Sequence, residues 1–342
     1  MNTPVLRIGI LGAAKIARAF VTAVSESPVV KVTGIASRDP AKSASFAHEF
    51  GIERHYPSYE ALLADREVDA VYNPLPNSLH ADWSMRAARA GKHVLCEKPL
   101  AASASEARMM FATAAEHGVH LVEGYPYRAQ PHALKLSEWV NTGVLGQVQH
   151  IQASFGFTMA DVSNIRLDPT LAGGALMDAG AYPVSLMHMV AKRRPTRVHA
   201  VARWAESGVD RTLVATAEFE GELLAQISCS FSTAVHRHAL IVGTEAVVQT
   251  TYLNHTPADR PAVLLLKKGG AAWNMDYETI AVPGVNGFLA EAESFARLVQ
   301  GGADFWTGVS PQESIDIALT LDAMRLSART GKSVEVADVD RS

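Results

Sequence analysis

Apolar residues recur along the first 125 positions with two periods that take turns. The runs VLRIGIL, VVKVTGIAS, VDAVYNPL, KHVLCEK and VHLVEGY are short, apolar and rich in β-branched residues, which predicts strands. Between them, AAKIARAFVTAVSES, PAKSASFAHEFG and NSLHADWSMRAARAG space their apolar residues at helical intervals. Local chemistry marks the helix ends. The first runs out before Pro28, Gly51 suits the C′ position of the second, and the third has Asn77 as N-cap with Gly91 beyond its end. Ser103 and Glu106 form a capping box for a fourth helix that reaches His117 and is closed by Gly118. The strands do not alternate apolar with polar, so both of their faces are buried. Strand–helix alternation of this kind predicts a doubly wound parallel sheet covered on both sides.

The pattern changes after about residue 125. A helix near HALKLSEWVNTG leads into QVQHIQASFGF, TRVHAVARW, TLVATAEFE, LLAQISCSF and HALIVG, strands that follow one another and alternate in character. Such a series predicts a largely antiparallel sheet. Two helices close the chain, FLAEAESFARLVQ and PQESIDIALTLDAMRLSARTG, the second with Ser310 and Glu313 as a capping box, Pro311 at N1 and Gly331 past its end. The expected fold class is α/β: a parallel-sheet domain over residues 1–125, then an α+β domain with a mostly antiparallel sheet over 126–342. No internal repeat or low-complexity tract interrupts either part.

With 342 residues, 48% hydrophobic and 19% charged, the chain can build two cores. A formal charge of −4 without a basic run gives no electrostatic case for nucleic acid. No stretch of 18 apolar residues is present, so no membrane span is expected. MNTPVLRIGILG enters a strand pattern at once, without a charged leader or cleavage site, and Cys96 and Cys229 are too few for a disulfide framework. The expected location is the cytoplasm.

Three stretches carry candidate chemistry. GILGAAKIAR lies at the strand-to-helix turn where a doubly wound sheet binds a dinucleotide. Aligned on G-x-G-x-x-G it holds Gly12, Ala14 and Ala17, so the glycine of the tight turn is kept and the other two are replaced. Gly12, Ala13, Ala14, Lys15 and Ile16 are the candidate phosphate cradle, and on this pattern alone a plain structural turn stays open. Ser37 and Arg38 stand where an acidic residue would hold the ribose hydroxyls; a hydroxyl and a guanidinium suit a 2′-phosphate, so NADP is expected over NAD. In GKHVLCEKPLA an apolar strand ends on Glu97, Lys98 and Pro99, and ligands of open parallel sheets bind outside such strand ends. Lys98 is thereby delivered to a cofactor crevice across an X-Pro bond that can be cis. A surface lysine paired with Glu97 is the other reading. AGGALMDAGAYPVSL places Asp178 and Tyr182 four apart, hence on one helical face, with a dipole-favoured aspartate and a core tyrosine as the plain alternative.

Together these pieces resemble the Gfo/Idh/MocA oxidoreductases, the family of glucose–fructose oxidoreductase and inositol dehydrogenase. GILGAAKIA, YNPLPNSLHADWSMRAARAGKHVLCEKPLA, VEGYPYRAQPHALKL and NIRLDPTLAGGALMDAGAYPVSL carry the resemblance over nearly the whole chain. The E-K-P and D-x-G-x-Y blocks are its most specific parts. The resemblance implies a Rossmann domain followed by a substrate domain on a large, open, mostly antiparallel sheet, and a homodimer or homotetramer through that sheet. It places Pro76, Asn77 and His80 near the nicotinamide ribose, with Leu75 packed beside them, though His80 reads equally as a helix-surface histidine. Glu97, Arg128, Asn164 and Arg166 are further candidates for polyol contacts, and Arg166 reads equally as a clamp on its loop. Tyr182, where many members carry histidine, points to the branch with glucose–fructose oxidoreductase, dihydrodiol dehydrogenase, NADP-dependent xylose dehydrogenase and certain sugar ketoreductases. EGYPYR departs from the commoner E-A-F/M-x-Y/F-R form near Arg128.

The implied chemistry is hydride transfer between nicotinamide and a sugar or cyclic polyol, with oxidation of an aldose such as xylose at C1 as the first candidate. Tyr182 would transfer the proton, Lys98 would bind the reacting oxygen and favour the phenolate, and Asp178 would orient the substrate hydroxyl or the lysine. Reduction of a keto-sugar or oxidation of a trans-dihydrodiol would use the same three residues. An NAD-assisted glycosidase and a nucleotide-sensing regulator are the alternatives of other classes; a sensor would have no use for a proton-transfer set. His236 and His238 alternate along one strand without a third ligand, so no metal is expected.

Overall fold

The computed structural model describes residues 4–341 apart from 253, 255–258, 270–272 and 274; residues 1–3, which open the stretch searched for an export signal, lie outside it. The chain divides into two compact units, one of residues 1–130 and 285–311, the other of 131–284 and 312–342.

In the first unit, elements run β1 (Leu6–Leu11), α1 (Lys15–Val24), β2 (Val30–Ala36), α2 (Pro40–Phe50), β3 (Arg54–Tyr56), α3 (Tyr59–Leu63), β4 (Ala70–Asn73), α4 (His80–Arg89), β5 (His93–Glu97), α5 (Ala104–Glu116) and β6 (Leu121–Gly124). The six strands form one parallel sheet in the order β3-β2-β1-β4-β5-β6. Helix ends follow the residues that satisfy their free backbone groups. Asp39 accepts from the Ala41 N–H at the start of α2, Ser103 accepts from the Glu106 N–H at the start of α5, and Gly51 ends α2 at φ +63°. The expected cap at Asn77 is corrected. Asn77 opens a 3₁₀ turn, Asn77–Leu79, and α4 begins one turn later after Leu79, which makes no side-chain cap bond.

The second unit contains α6 (Pro131–Asn141), β7 (Val148–Thr158), α7 (Ala181–Ala191), β8 (Arg197–Trp204), β9 (Asp210–Glu218), β10 (Leu224–Ser230), β11 (Ser232–Gly243), β12 (Ala246–Thr250), β13 (Ala262–Lys268) and β14 (Glu278–Val282). After the chain's excursion through α8 (Gly287–Gly301) in the first unit, it returns with α9 (Pro311–Thr330), β15 (Val334–Glu335) and α10 (Val336–Asp340). Nine strands form one sheet, β14-β13-β12-β11-β7-β10-β9-β8-β15, antiparallel except for the parallel pair β7–β10. Helix α7 is buried on every residue and packs on β7 and β10, so inward residues such as Ile151, Ala153, Ala225 and Ile227 are covered while Gln152 and Gln226 face outward.

Helix α8 belongs to the first unit, although the sequence boundary at 125 assigns it to the second domain. Its apolar stripe explains the difference: Phe288, Ala292, Phe295 and Ala296 share one buried cluster with Ile8 and Ile10 of β1 and Phe20 of α1. The same helix buries a carboxyl group. Glu291 is 1% exposed and lies against Gly124 at the end of β6, where the Tyr125 backbone N–H donates to it. Burial first, then the neighbouring Glu97 and Glu123 carboxylates, push the Glu291 carboxyl well above the usual range.

A carboxyl held protonated when folded contributes stability that is fully present below its ordinary pKa and is lost as pH rises toward the raised value, by about 1.4 kcal/mol per pH unit. Histidines His80 and His132 have the opposite sign: burial takes both down to about 4, so their contribution is present above 6.5 and lost as pH falls. Comparing the parent with Glu291→Gln cancels the histidine terms. The amide variant is expected to gain on the parent progressively from pH 5 to 8, read by hydrogen exchange at the β5 and β6 amides in urea. Parallel pH profiles would mean that Glu291 is ionised in the folded protein.

Candidate active site

The β1–α1 turn begins at Gly12, whose φ of +98° is open to glycine and whose missing side chain matters as well. A Cβ there would stand 3.0 Å from Leu75 Cδ2. Helix α1 starts after Ala14 without a side-chain cap, so Lys15 and Ile16 open a first turn whose N–H groups point outward unclaimed by a capping side chain. An anion fits such a start, because N–H groups and helix dipole act together. At the end of β2, Ser37 is buried and its hydroxyl accepts from the Asp39 N–H at 3.2 Å, while Arg38 is exposed. Burial pushes the Tyr59 phenol up and the Arg38 guanidinium opposes it. Tyr59 Oη is also 3.6 Å from the Cβ position of Gly12, so the arginine, the phenol and the glycine turn lie together. Turn, helix start and guanidinium fit a phosphate-bearing dinucleotide.

The turn after β5 is held at successive residues. Tyr72 Oη donates to Glu97 Oε1 at 2.6 Å, and the tyrosine ring stacks on Phe20 at 4.0 Å. Lys98 follows, half-buried, and its bond to Pro99 is cis. The Pro99 carbonyl is 2.8 Å from His80 Nδ1, and the Leu100 N–H donates to Glu123 Oε1 at 2.9 Å. The other ring nitrogen of His80, Nε2, is 2.7 Å from the Leu75 carbonyl. His80 thus ties the β4–α4 connection, with Pro76 and Asn77, to the lysine turn. This corrects the reading of His80 as a helix-surface histidine, because it is 1% exposed and both nitrogens face backbone carbonyls. Burial first, and the Lys98 ammonium as well, oppose the imidazolium that two carbonyls would favour, leaving a pKa of about 4. Glu123 received no role from the sequence. The signal for it was available, a carboxylate one residue before the end of the neighbouring parallel strand. Arg128 is buried in the 3₁₀ turn Pro126–Ala129 that follows β6.

In the second unit, a π-turn, Leu176–Gly180, precedes α7. Asp178 lies in this π-turn and Tyr182 in the first turn of α7. Asp178 Oδ2 accepts from Arg166 Nε at 2.7 Å, whereas Tyr182 Oη accepts from Asn254 Nδ2 at 2.6 Å. Asn164 accepts from the Arg166 N–H at 3.1 Å, so it caps the short turn that presents the arginine. The 5%-exposed Tyr182 ring meets Phe155 edge-on at 5.6 Å, and the Arg237 guanidinium lies 4.2 Å from the Tyr182 centroid and 3.9 Å from that of Phe155. Neither Arg237 nor Asn254 was found by sequence reasoning. His236 and His238 drew notice as a pair alternating along one strand; both are exposed, and the same alternation turns Arg237 to the covered face.

A lysine at the end of β5, in the unit that holds the β1–α1 turn, and a hydrogen-bonded phenol in the other unit are the elements of carbonyl–alcohol redox chemistry. The comparisons agree. Residues 6–125 match the Gfo/Idh/MocA model described as an oxidoreductase family with NAD-binding Rossmann fold, and residues 133–249 match the Gfo/Idh/MocA C-terminal domain. The chain is 36% identical over 333 residues to a D-xylose 1-dehydrogenase (NADP(+)) of Haloferax volcanii, covering 97% of this chain and 100% of the relative. It is 32% identical over 327 residues to a trans-1,2-dihydrobenzene-1,2-diol dehydrogenase of Danio rerio, covering 94% and 96%. The crystal structure of a 3-ketoreductase from Actinomadura kijaniata, in complex with NADP and TDP-benzene, superposes with a TM-score of 0.85 at 30% identity over 94% of this chain and 98% of that one. With both domains matched and similarity over 97% of its length, the chain belongs to the Gfo/Idh/MocA family of oxidoreductases.

Proposed function

We propose that the chain is an NADP-dependent dehydrogenase that moves hydride between nicotinamide and a sugar or cyclic polyol, oxidising an aldose such as xylose at C1. The observation that carries this reading is the lysine turn: Lys98 follows a strand end whose backbone is held by Glu123 and whose proline carbonyl faces His80. A cation carried on a turn held in this way serves an oxygen that gains negative charge. The similarity to a xylose dehydrogenase over 97% of the chain supports an aldose as substrate.

When bound, the nicotinamide accepts or supplies the hydride. Gly12, Ala13, Ala14, Lys15 and Ile16 would hold the diphosphate, Ser37 and Arg38 the 2′-phosphate, and Pro76, Asn77 and Glu97 the nicotinamide side. Lys98 binds the reacting oxygen. Tyr182 takes the hydroxyl proton during oxidation and returns it during reduction. Asp178 and Arg166, joined as an ion pair, orient the sugar hydroxyls together with Asn164 and Arg128. Keto-sugar reduction is the second reading, supported by the likeness to the 3-ketoreductase.

Assayed against aldoses, polyols, trans-dihydrodiols and keto-sugars with both cofactors, the protein is expected to turn over an aldose with NADP. Tyr182→Phe and Lys98→Met should each lower kcat about 100-fold or more while NADP(H) affinity stays within a few-fold. Near-normal turnover in Tyr182→Phe would remove the tyrosine assignment. Arg38→Ala should raise KM for NADP about tenfold and leave KM for NAD nearly unchanged; equal effects on both would place the arginine elsewhere. We further propose a homodimer or homotetramer through the outward face of the nine-stranded sheet, where the paired Val201 and Val214 are 57% and 52% exposed. In sedimentation, Val214→Glu should reduce the assembly mass, and an unchanged mass would rule out this face.

A further inference from the structure

We infer that Arg237 and Asn254 are positioning residues that set the direction of the Tyr182 hydroxyl. This rests on Tyr182 being the proton-transfer group. In β11, His236 and His238 face outward and Arg237 faces the covered side, directly across from Phe155 of β7. The guanidinium lies over the Phe155 and Tyr182 rings, and its Nη1 donates to the Tyr252 carbonyl at 3.0 Å and to Asn254 Oδ1 at 3.3 Å. Tyr252 is itself anchored, its hydroxyl donating to the Ser154 carbonyl at 2.8 Å.

Donor counting then fixes the amide. A guanidinium has donors only, so Asn254 must offer it the oxygen, which leaves the amide nitrogen for Tyr182 Oη at 2.6 Å. The phenol oxygen is consequently an acceptor toward Asn254, and its own hydrogen points away from the amide, in the direction in which a proton can pass to or from substrate. After the proton has left, the same N–H still donates to the phenolate. The chain Arg237–Asn254–Tyr182 polarises in one sense, cation to amide oxygen and amide hydrogen to phenol oxygen.

Asn254→Asp keeps the shape and replaces the donor by an acceptor. It should lower kcat about 100-fold, with KM for NADP unchanged and the thermal midpoint within a few degrees of the parent. Arg237→Met should lower kcat in the same way, and Arg237→Lys, which restores a charged donor, should recover at least about a tenth of the parent rate. Should Arg237→Met fail to fold, Asn254→Asp decides the matter. Turnover within twofold of the parent in Asn254→Asp, alongside a large loss in Tyr182→Phe, would overturn the pair and leave the tyrosine assignment standing. Near-normal turnover in Tyr182→Phe would instead remove the reading on which the pair depends.

Discussion

A lysine acts as a directed cation only when the turn beneath it is held, and in this protein the residues on both sides of Lys98 are gripped. Glu97 receives the Tyr72 hydroxyl, Lys98 follows, Pro99 faces His80 through its carbonyl, and Leu100 gives its N–H to Glu123. Each partner comes from a different element: β4, the start of α4, and β6. The parallel sheet is what brings them together, since strands β4, β5 and β6 end side by side. A long flexible stem still separates Nζ from the chain, but its origin is fixed by three interactions, all of them buried, where each hydrogen bond counts for more than in water.

The same economy of parts recurs around Tyr182, with different chemistry. There the phenol is framed by rings and a guanidinium, and one amide settles which way its hydrogen points. At Asn254 a side chain with a single hydrogen-bonding polarity orients one that has two. Glu123 accepts from the Leu100 N–H; Arg237 donates and so selects the Asn254 oxygen. Orientation of this kind costs no rearrangement at the moment of reaction, which is the property that preorganised electrostatics requires.

Much of this was legible from residue order. The five strands of the parallel sheet that carry apolar runs, the helix closures at Gly51, Gly118 and Gly331, and the delivery of Lys98 to a strand end all follow from local pattern. The unread parts share a physical cause. Strand β3 has three residues and pairs at a sheet edge, too short for a period to show. Helix α8 looks like an ordinary amphipathic helix, and nothing in its own residues says that its stripe matches β1 and α1, some 270 positions earlier. The π-turn at Leu176–Gly180 leaves no mark in residue spacing, and the partners of Asp178 and Tyr182, Arg166 and Asn254, lie outside it in the chain. Arg237 and Asn254 are brought to the phenol by sheet register, which single-residue reasoning does not compute.

The family is established by both domains, and the chemistry proposed for it converges on one oxygen atom of the substrate. The most direct measurement is a crystal structure with NADP and an aldose bound. Lys98 Nζ and Tyr182 Oη are expected within hydrogen-bond distance of the same sugar oxygen, with the carbon that bears it over C4 of the nicotinamide. A sugar bound with its reacting oxygen on only one of those groups, or a nicotinamide lying away from the end of β5, would contradict the proposed roles.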